Sequence, residues 1–243
     1  MALYNRLLSV DEVLEQLCAC LKYKKPYSLV RFGHGEMHVV SHKICPEHKI
    51  NLYFDHYHKY AGISELNDKI AINLINALKK ANLVGLGDHT PYNQELLDKI
   101  IEYYNLSLPS ICSAWIPVDM INSKSFFDLL KLKKIIIVGR RSAEGADKFR
   151  DLGINVIGTM THQGFEEMSK TINRICAIPD FDIAIVAAGV PATIMCPEIS
   201  QKSGKIAIDF GHALDILIEG EKFDHEKRVN DFNAALQKEV NES

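Results

Sequence analysis

Apolar positions alternate between two rhythms along this chain. In SVDEVLEQLCACLKY, Val10, Leu14, Leu17 and Leu21 recur at helical spacing and Ser9 and Glu12 stand a capping box apart, so the pattern predicts an amphipathic helix over about 9–23. Pro26 closes that approach, and SLVRF follows as a short apolar run of strand character. The segment HKICPEHKINLYFDHYHKYAG has no clear period and reads as loop, whereas Ile70, Leu74 and Leu78 predict a helix within SELNDKIAINLINALKKAN. From there strands are expected at 83–87, 109–115, 134–140, 154–160, 181–189 and 205–211. Helix-length segments at 93–104, 121–132, 143–153, 165–175 and 192–204 separate them. Strands and helices in strict alternation imply an α/β fold, a mostly parallel sheet with helices on both faces. No repeat or Pro/Gly-rich linker interrupts the pattern. The expected organisation is therefore one domain over 1–243, with an N-terminal helix at about 9–23 and a C-terminal tail at about 219–243.

Composition narrows the partners. The chain is 47% hydrophobic and 24% charged, ordinary for a globular protein, and holds no apolar run of membrane-spanning length. Its first residues lack the charged and apolar regions of a secretory signal, so a cytoplasmic location is the expectation. Six scattered cysteines without a C-x-x-C pair suit reduced core thiols better than disulfides or zinc. A net charge of −3 with no long basic run argues against nucleic acid, but a small anion needs only a local pocket.

In an open parallel sheet, ligands gather beyond the carboxyl ends of the strands. The polar residues of interest fall there: Arg31, Gly33, His34 and Glu36 after the first strand, Gly87, Asp88 and His89 after the next, and Gly139, Arg140 and Arg141 after IIIV. Gly189 and Pro191 follow a later strand, and Asp209, Gly211 and His212 follow the last. Arg140 and Arg141, at a glycine turn before a helix, offer guanidinium forks and backbone N–H groups to phosphate oxygens; the alternative is pairing with Glu144 or Asp147. Gly189 ahead of Pro191 leaves backbone donors free at a helix start. His34 and Glu36 point the same way if their turn is extended, and imidazole with carboxylate suits a manganese-type ion. Gly33 and Gly35 are equally consistent with simple turn geometry, and the histidines at 38, 42, 48, 56 and 58 with a polar surface loop. Asp209 and His212 read either as a base with its orienting partner or as an ordinary cap.

Three segments in order resemble the GT-D type glycosyltransferases: SLVRFGHGE is similar to that family's RFGDGE, IIIVGRRSAEGADKF to its strand, turn and helix, and AAGVPATIMCPEISQKSGKIAIDFGHALD to its GPTA…DIGH close. The resemblance covers roughly residues 25–217. It implies a Rossmann-like fold that binds a sugar nucleotide, typically a UDP-sugar, with a divalent cation, and passes the sugar to an acceptor such as a glycan on a protein. The family's D-x-E falls on His34-Gly35-Glu36, so His34 stands where an aspartate is expected and Glu36 is the remaining acid. Carried over by position, Arg31 and Gly33 lie near the nucleotide, and Asp209, Gly211 and His212 form the closing motif.

The expectation is a hexosyltransferase-type enzyme in which Glu36, with or without His34, holds manganese on the diphosphate, Arg140 or Arg141 offsets leaving-group charge, and Asp88, Asp209 or His212 takes the acceptor proton. The alternative is a non-catalytic nucleotide-binding or partner-binding module. A nicotinamide-dependent oxidoreductase is disfavoured, because no G-x-G-x-x-G with an acid about twenty residues on follows the first strand.

Overall fold

The computed structural model describes residues 6–45, 47, 58–87, 90–108 and 110–241. Helix α1 (Val10–Tyr23) begins with the expected box: Ser9 N–H donates to Glu12 at 2.8 Å while the Ser9 hydroxyl accepts from the Glu12 N–H at 3.3 Å. Seven strands follow: β1 (Tyr27–Phe32), β2 (Leu83–Leu86), β3 (Ile111–Ser113), β4 (Lys134–Gly139), β5 (Asn155–Met160), β6 (Ile183–Ala187) and β7 (Ile206–Asp209). Every pairing is parallel and the order across the sheet is β3-β2-β1-β7-β6-β4-β5.

The central strands are buried on both faces, as their continuous Val/Ile runs require, while edge strand β5 leaves one face exposed. One face carries Val30, Val84, Ile136 and Ala184, against α2 (His34–Ser41), α3 (Asp68–Lys80), α4 (Pro91–Tyr104), α8 (Met168–Cys176) and α9 (Val190–Ser203). The other carries Leu29, Leu83, Ile135 and Ile183, with α1, α5 (Ile116–Ile121), α6 (Lys124–Leu130), α7 (Ser142–Asp151) and α10 (Ala213–Glu219). There Phe126 and Phe149 flank Phe210 at ring distances of 6.0 and 6.2 Å.

This layout decides where a crevice opens. The chain leaves β6 into α9 on the first face and leaves neighbouring β4 into α7 on the opposite face, so the carboxyl ends of β4 and β6 mark a switch point. A second switch lies between β7, followed by α10, and β1, followed by α2.

Three local expectations are corrected. The glycine-rich turn after β1 is helix α2, not extended chain; it lacks a polar face, since residues from Glu36 to Ser41 are all buried, so no amphipathic period betrays it. The helix expected over 121–132 is the shorter α6, and an unexpected short helix α5, with Pro117 in its first turn, precedes it. The C-terminal tail contains α11 (His225–Asn241), whose Val229 is fully buried.

Candidate functional site

At the β1/β7 switch sits a closed polar cluster. Arg31 Nε donates to Asp209 Oδ1 at 3.1 Å and its backbone N–H reaches Oδ2 at 3.3 Å, while Thr193 Oγ1 donates to the Arg31 carbonyl at 2.9 Å. Asp209 is wholly buried, and the Arg31 side chain is partly buried, 18% exposed. Gly211, at φ +45°, makes this possible: a Cβ there would lie 2.0 Å from Arg31 Nη2, so only glycine lets the guanidinium lie across the turn. Glu36 accepts the Gly33 N–H at 2.9 Å, the reciprocal half of a capping box at the start of α2. Burial raises its carboxyl to about 7, against the pull of Arg31 and with a further push from Asp209. Burial also opposes the Arg31 cation, yet Asp209 and Glu36 outweigh it and hold its pKa above the usual value.

His34 and Glu36 do not converge. In a helix, positions two apart leave the axis about 200° from one another. His34 Nε2 accepts from Asn93 Nδ2 on α4 at 3.1 Å, whereas Glu36 turns to Gly33 and lies beside Arg31. Among the described residues no group of three or more His, Cys, Asp or Glu side chains is gathered as a metal site would need.

At the β4/β6 switch the surface is open. A cleft of about 290 Å³ is lined by Tyr60, Arg140, Arg141, Ala187, Asp215 and Phe232, among others. The two arginines have opposite fates. Arg141 pairs with Glu144 at 2.7 Å and Asp215 at 2.9 Å, and also with Glu219, so its charge is neutralised. Arg140 packs against the rings of both Tyr60 and Phe232, 4.6 and 4.3 Å from their centroids, and Nη2 donates to the Tyr60 carbonyl at 2.8 Å. Among the described residues it forms no ion pair with a carboxylate.

The closing motif separates the two regions. Arg31 lies on Gly211, while the next side chain, His212, stacks on Tyr60 at 6.3 Å, and Tyr60 in turn stacks on Arg140. His212 Nδ1 is 3.9 Å from Asp215 Oδ2, and its ring is 4.4 Å from that of His225. Burial and the neighbouring His212 lower His225 to about 4. Glu36, Asp209 and His212 are not among the residues that line the cleft.

Gly189 is placed at the β6 end, but its surroundings are filled. At φ +65°, its Cβ would meet the Ala61 carbonyl at 2.4 Å, and that carbonyl accepts the Val190 N–H at 2.9 Å, so this donor of α9 faces protein. Gly33 is the N-cap of α2. Asp88 lies outside the described residues, as do His48 and His56.

Sequence reasoning passed over Tyr60, Thr193, Asp215 and Phe232. Thr193 and Asp215 stood inside the quoted AAGVPAT and DFGHALD segments, where one polar side chain in an apolar run was the available signal. Tyr60 lay in the stretch read as loop, and Phe232 in the stretch read as tail.

The family model described as a GT-D fold-like domain matches residues 8–217. Two solved structures of domain of unknown function 1792 resemble this one, the first selenomethionine-substituted and the second described as having a distinct glycosyltransferase fold. Each is 20% identical with a TM-score of 0.55, covering 86% of this chain and 78% of its own. A structure described as a new glycosyltransferase (DUF1792) from Streptococcus sanguinis is 18% identical with a TM-score of 0.53, covering 85% of this chain and 81% of its own. No curated protein matches. Among the described residues no helix is long and apolar enough to cross a membrane.

Proposed function

The chain belongs to the GT-D fold-like family, and from that premise we propose that it binds a nucleotide-activated sugar, a UDP-sugar first of all, in the cleft at the β4/β6 switch and transfers the sugar to a hydroxyl of a glycan or protein-linked acceptor. The observation that carries this reading is Arg140: an exposed guanidinium, set by two rings and a carbonyl and matched by no carboxylate among the described residues, at the rim of a cleft beside a helix start. A diphosphate supplies the missing counter-charge. As the bond from the sugar to the diphosphate breaks, negative charge builds on the leaving phosphate, and a preset Arg140 stabilises that charge without reorganising.

The four acid–base candidates divide by what they touch. Asp209 is committed to Arg31 and positions it. His212 borders Tyr60 on the cleft wall and has Asp215 behind Nδ1, which suits a base that accepts the acceptor's hydroxyl proton at Nε2. Glu36, at about 7, has the right proton affinity for such work but is enclosed with the Gly33 N–H. Asp88 lies outside the described residues. The proposed donor-binding group is Arg140, while Arg31, Gly33, Arg141 and Gly189 are committed to protein partners and serve as framework around it.

The residues expected to hold manganese, His34 and Glu36, do not gather around one ion. They diverge on α2, and the guanidinium of Arg31 is already the cation beside Glu36 and Asp209. One feature favours the second reading, a binding module without turnover: His34, in place of the expected acid, is hydrogen-bonded to Asn93.

Calorimetric titration of the full chain with UDP and UDP-sugars, with and without manganese, tests the proposal. Saturable binding that Arg140→Gln weakens is expected; no binding of any nucleoside diphosphate in either condition overturns it. Release of UDP from donor and acceptor panels then separates enzyme from module.

A further inference from the structure

Beyond β5, the chain buries a histidine whose chemistry the reading above does not use. His162 is 1% exposed. Its Nδ1 is 3.0 Å from Thr171 Oγ1 on α8, and its Nε2, also buried, has no hydrogen-bond partner among the described residues. Burial lowers its pKa, although Glu167 and the Gly164 backbone act in the other direction, so burial favours the neutral ring. A neutral imidazole with one nitrogen on Thr171 has one donor or acceptor left over. An unsatisfied polar atom of this kind is costly, and buried polar groups ordinarily meet a water or a ligand.

The space beside it has the right size. His162, Arg140, Gly62, Gly164 and Ala188 line a hollow of about 20 Å³, room for one water-sized group. Tyr60, Arg140 and Ala187 line both this hollow and the large cleft, so the two adjoin. A ligand held at Arg140 therefore borders the hollow that His162 lines.

We propose that His162 is a specificity-determining residue, whose Nε2 binds one hydroxyl of the sugar nucleotide held in the Arg140 cleft. A hydroxyl suits the position better than a carbonyl or an amine, because it both donates and accepts. It thus satisfies Nε2 whichever way the proton between Nδ1 and Thr171 is arranged. The hydroxyl belongs either to the ribose or to the transferred sugar, and the chemistry is the same. The proposal rests on the sugar-nucleotide reading, and the test separates the two.

The full chain is titrated with UDP, 2′-deoxy-UDP, 3′-deoxy-UDP, UDP-glucose and its deoxyhexose analogues, as wild type, H162F and H162Q. One deletion is expected to weaken wild-type binding about tenfold, the size of one hydrogen bond. H162F should bind the parent ligand about tenfold more weakly and show no penalty for that same deletion, while H162Q, with donor and acceptor restored, regains part of the discrimination. A ribose deletion assigns the hydroxyl to the nucleotide, and a hexose deletion assigns it to the sugar. Equal losses in wild type and H162F for every analogue overturn the proposal while leaving sugar-nucleotide binding intact. If H162F does not fold, the 15N resonance of Nε2 in labelled wild type decides. Movement on adding UDP or UDP-glucose supports the contact, and an unmoved resonance at saturation overturns it. Absence of any UDP binding by wild type brings down both readings.

Discussion

The ends of β1 and β7 and the ends of β4 and β6 are built from the same residue types and do opposite things with them. Around Arg31 every charge is answered within the protein: Asp209 holds the guanidinium, Thr193 closes over the carbonyl, and Glu36 caps α2. Around Arg140 aromatic rings stand where carboxylates would. A cation that is fully paired stabilises a fold, and one that is oriented but unpaired is prepared for an anion from outside. Arg141 repeats the lesson one residue away, since its three acidic partners make it a tether for α10 rather than a ligand group.

The sharpest way to break this contrast is to remove Asp209. Asp209→Ala leaves the Arg31 cation enclosed without its partner and is expected to cost about 3–5 kcal/mol of stability, read from the denaturant midpoint. A loss below about 1 kcal/mol would show that the cluster is not the closed structural unit described.

Glu36 offers the next largest effect, and it has a pH signature. Its carboxyl rises from 4.5 in the unfolded chain to about 7 in the fold. Below about 4.5 it is protonated in both states and costs nothing. As pH climbs from 4.5 to 7 the unfolded chain ionises first, so stability falls, and above 7 the deficit is constant. Glu36→Gln keeps an acceptor for Gly33 and removes the ionisation. It should therefore gain stability over wild type with rising pH, by on the order of 3 kcal/mol at pH 8 and nothing near pH 4. A gain that does not vary with pH would contradict the buried, proton-holding carboxyl.

On the open side the balance reverses between stability and binding. Arg140→Gln should leave the denaturant midpoint within about 0.5 kcal/mol and weaken UDP binding by about 2 kcal/mol, the scale of a charge-assisted contact. Arg141→Gln should do the converse and destabilise more than it weakens UDP binding.

The smallest effect belongs to the His212/His225 contact. His225 is held near 4, below the ordinary histidine value of 6.5, so its contribution is complete above about 6.5 and is lost as pH falls towards 4. Protonation then places a charged imidazolium 4.4 Å from the ring of His212. His225→Phe should retain helical signal and melting temperature better than wild type between pH 6.5 and 4, and differ little above pH 7.

The layered α/β plan was open to reading because each strand carries its own evidence: Ile135 to Val138 and Ile183 to Val186 are continuous β-branched and small runs that only a sheet covered on both faces can bury. Strand ends, and with them Arg31, Arg140, Asp209 and His212, followed from the same local pattern. Helix α2 escaped because its residues from Glu36 to Ser41 are all buried and show no period, whereas α11 did carry one, Val229, Phe232, Leu236 and Val240 at helical spacing, which the reading of that stretch as tail passed over.

What the residues determined alone was the alternation of elements, the parallel sheet and the set of polar groups at its carboxyl rim, since these depend on propensity and on burial a few positions apart. Tertiary structure decided which of two adjacent arginines is neutralised, where His34 and Glu36 point, and that Tyr60, His162 and Phe232 surround or border Arg140. Pairing energies depend on distances of a few ångströms between side chains remote in the chain, and those distances exist only once the sheet order has brought β4 beside β6 and β7 beside β1.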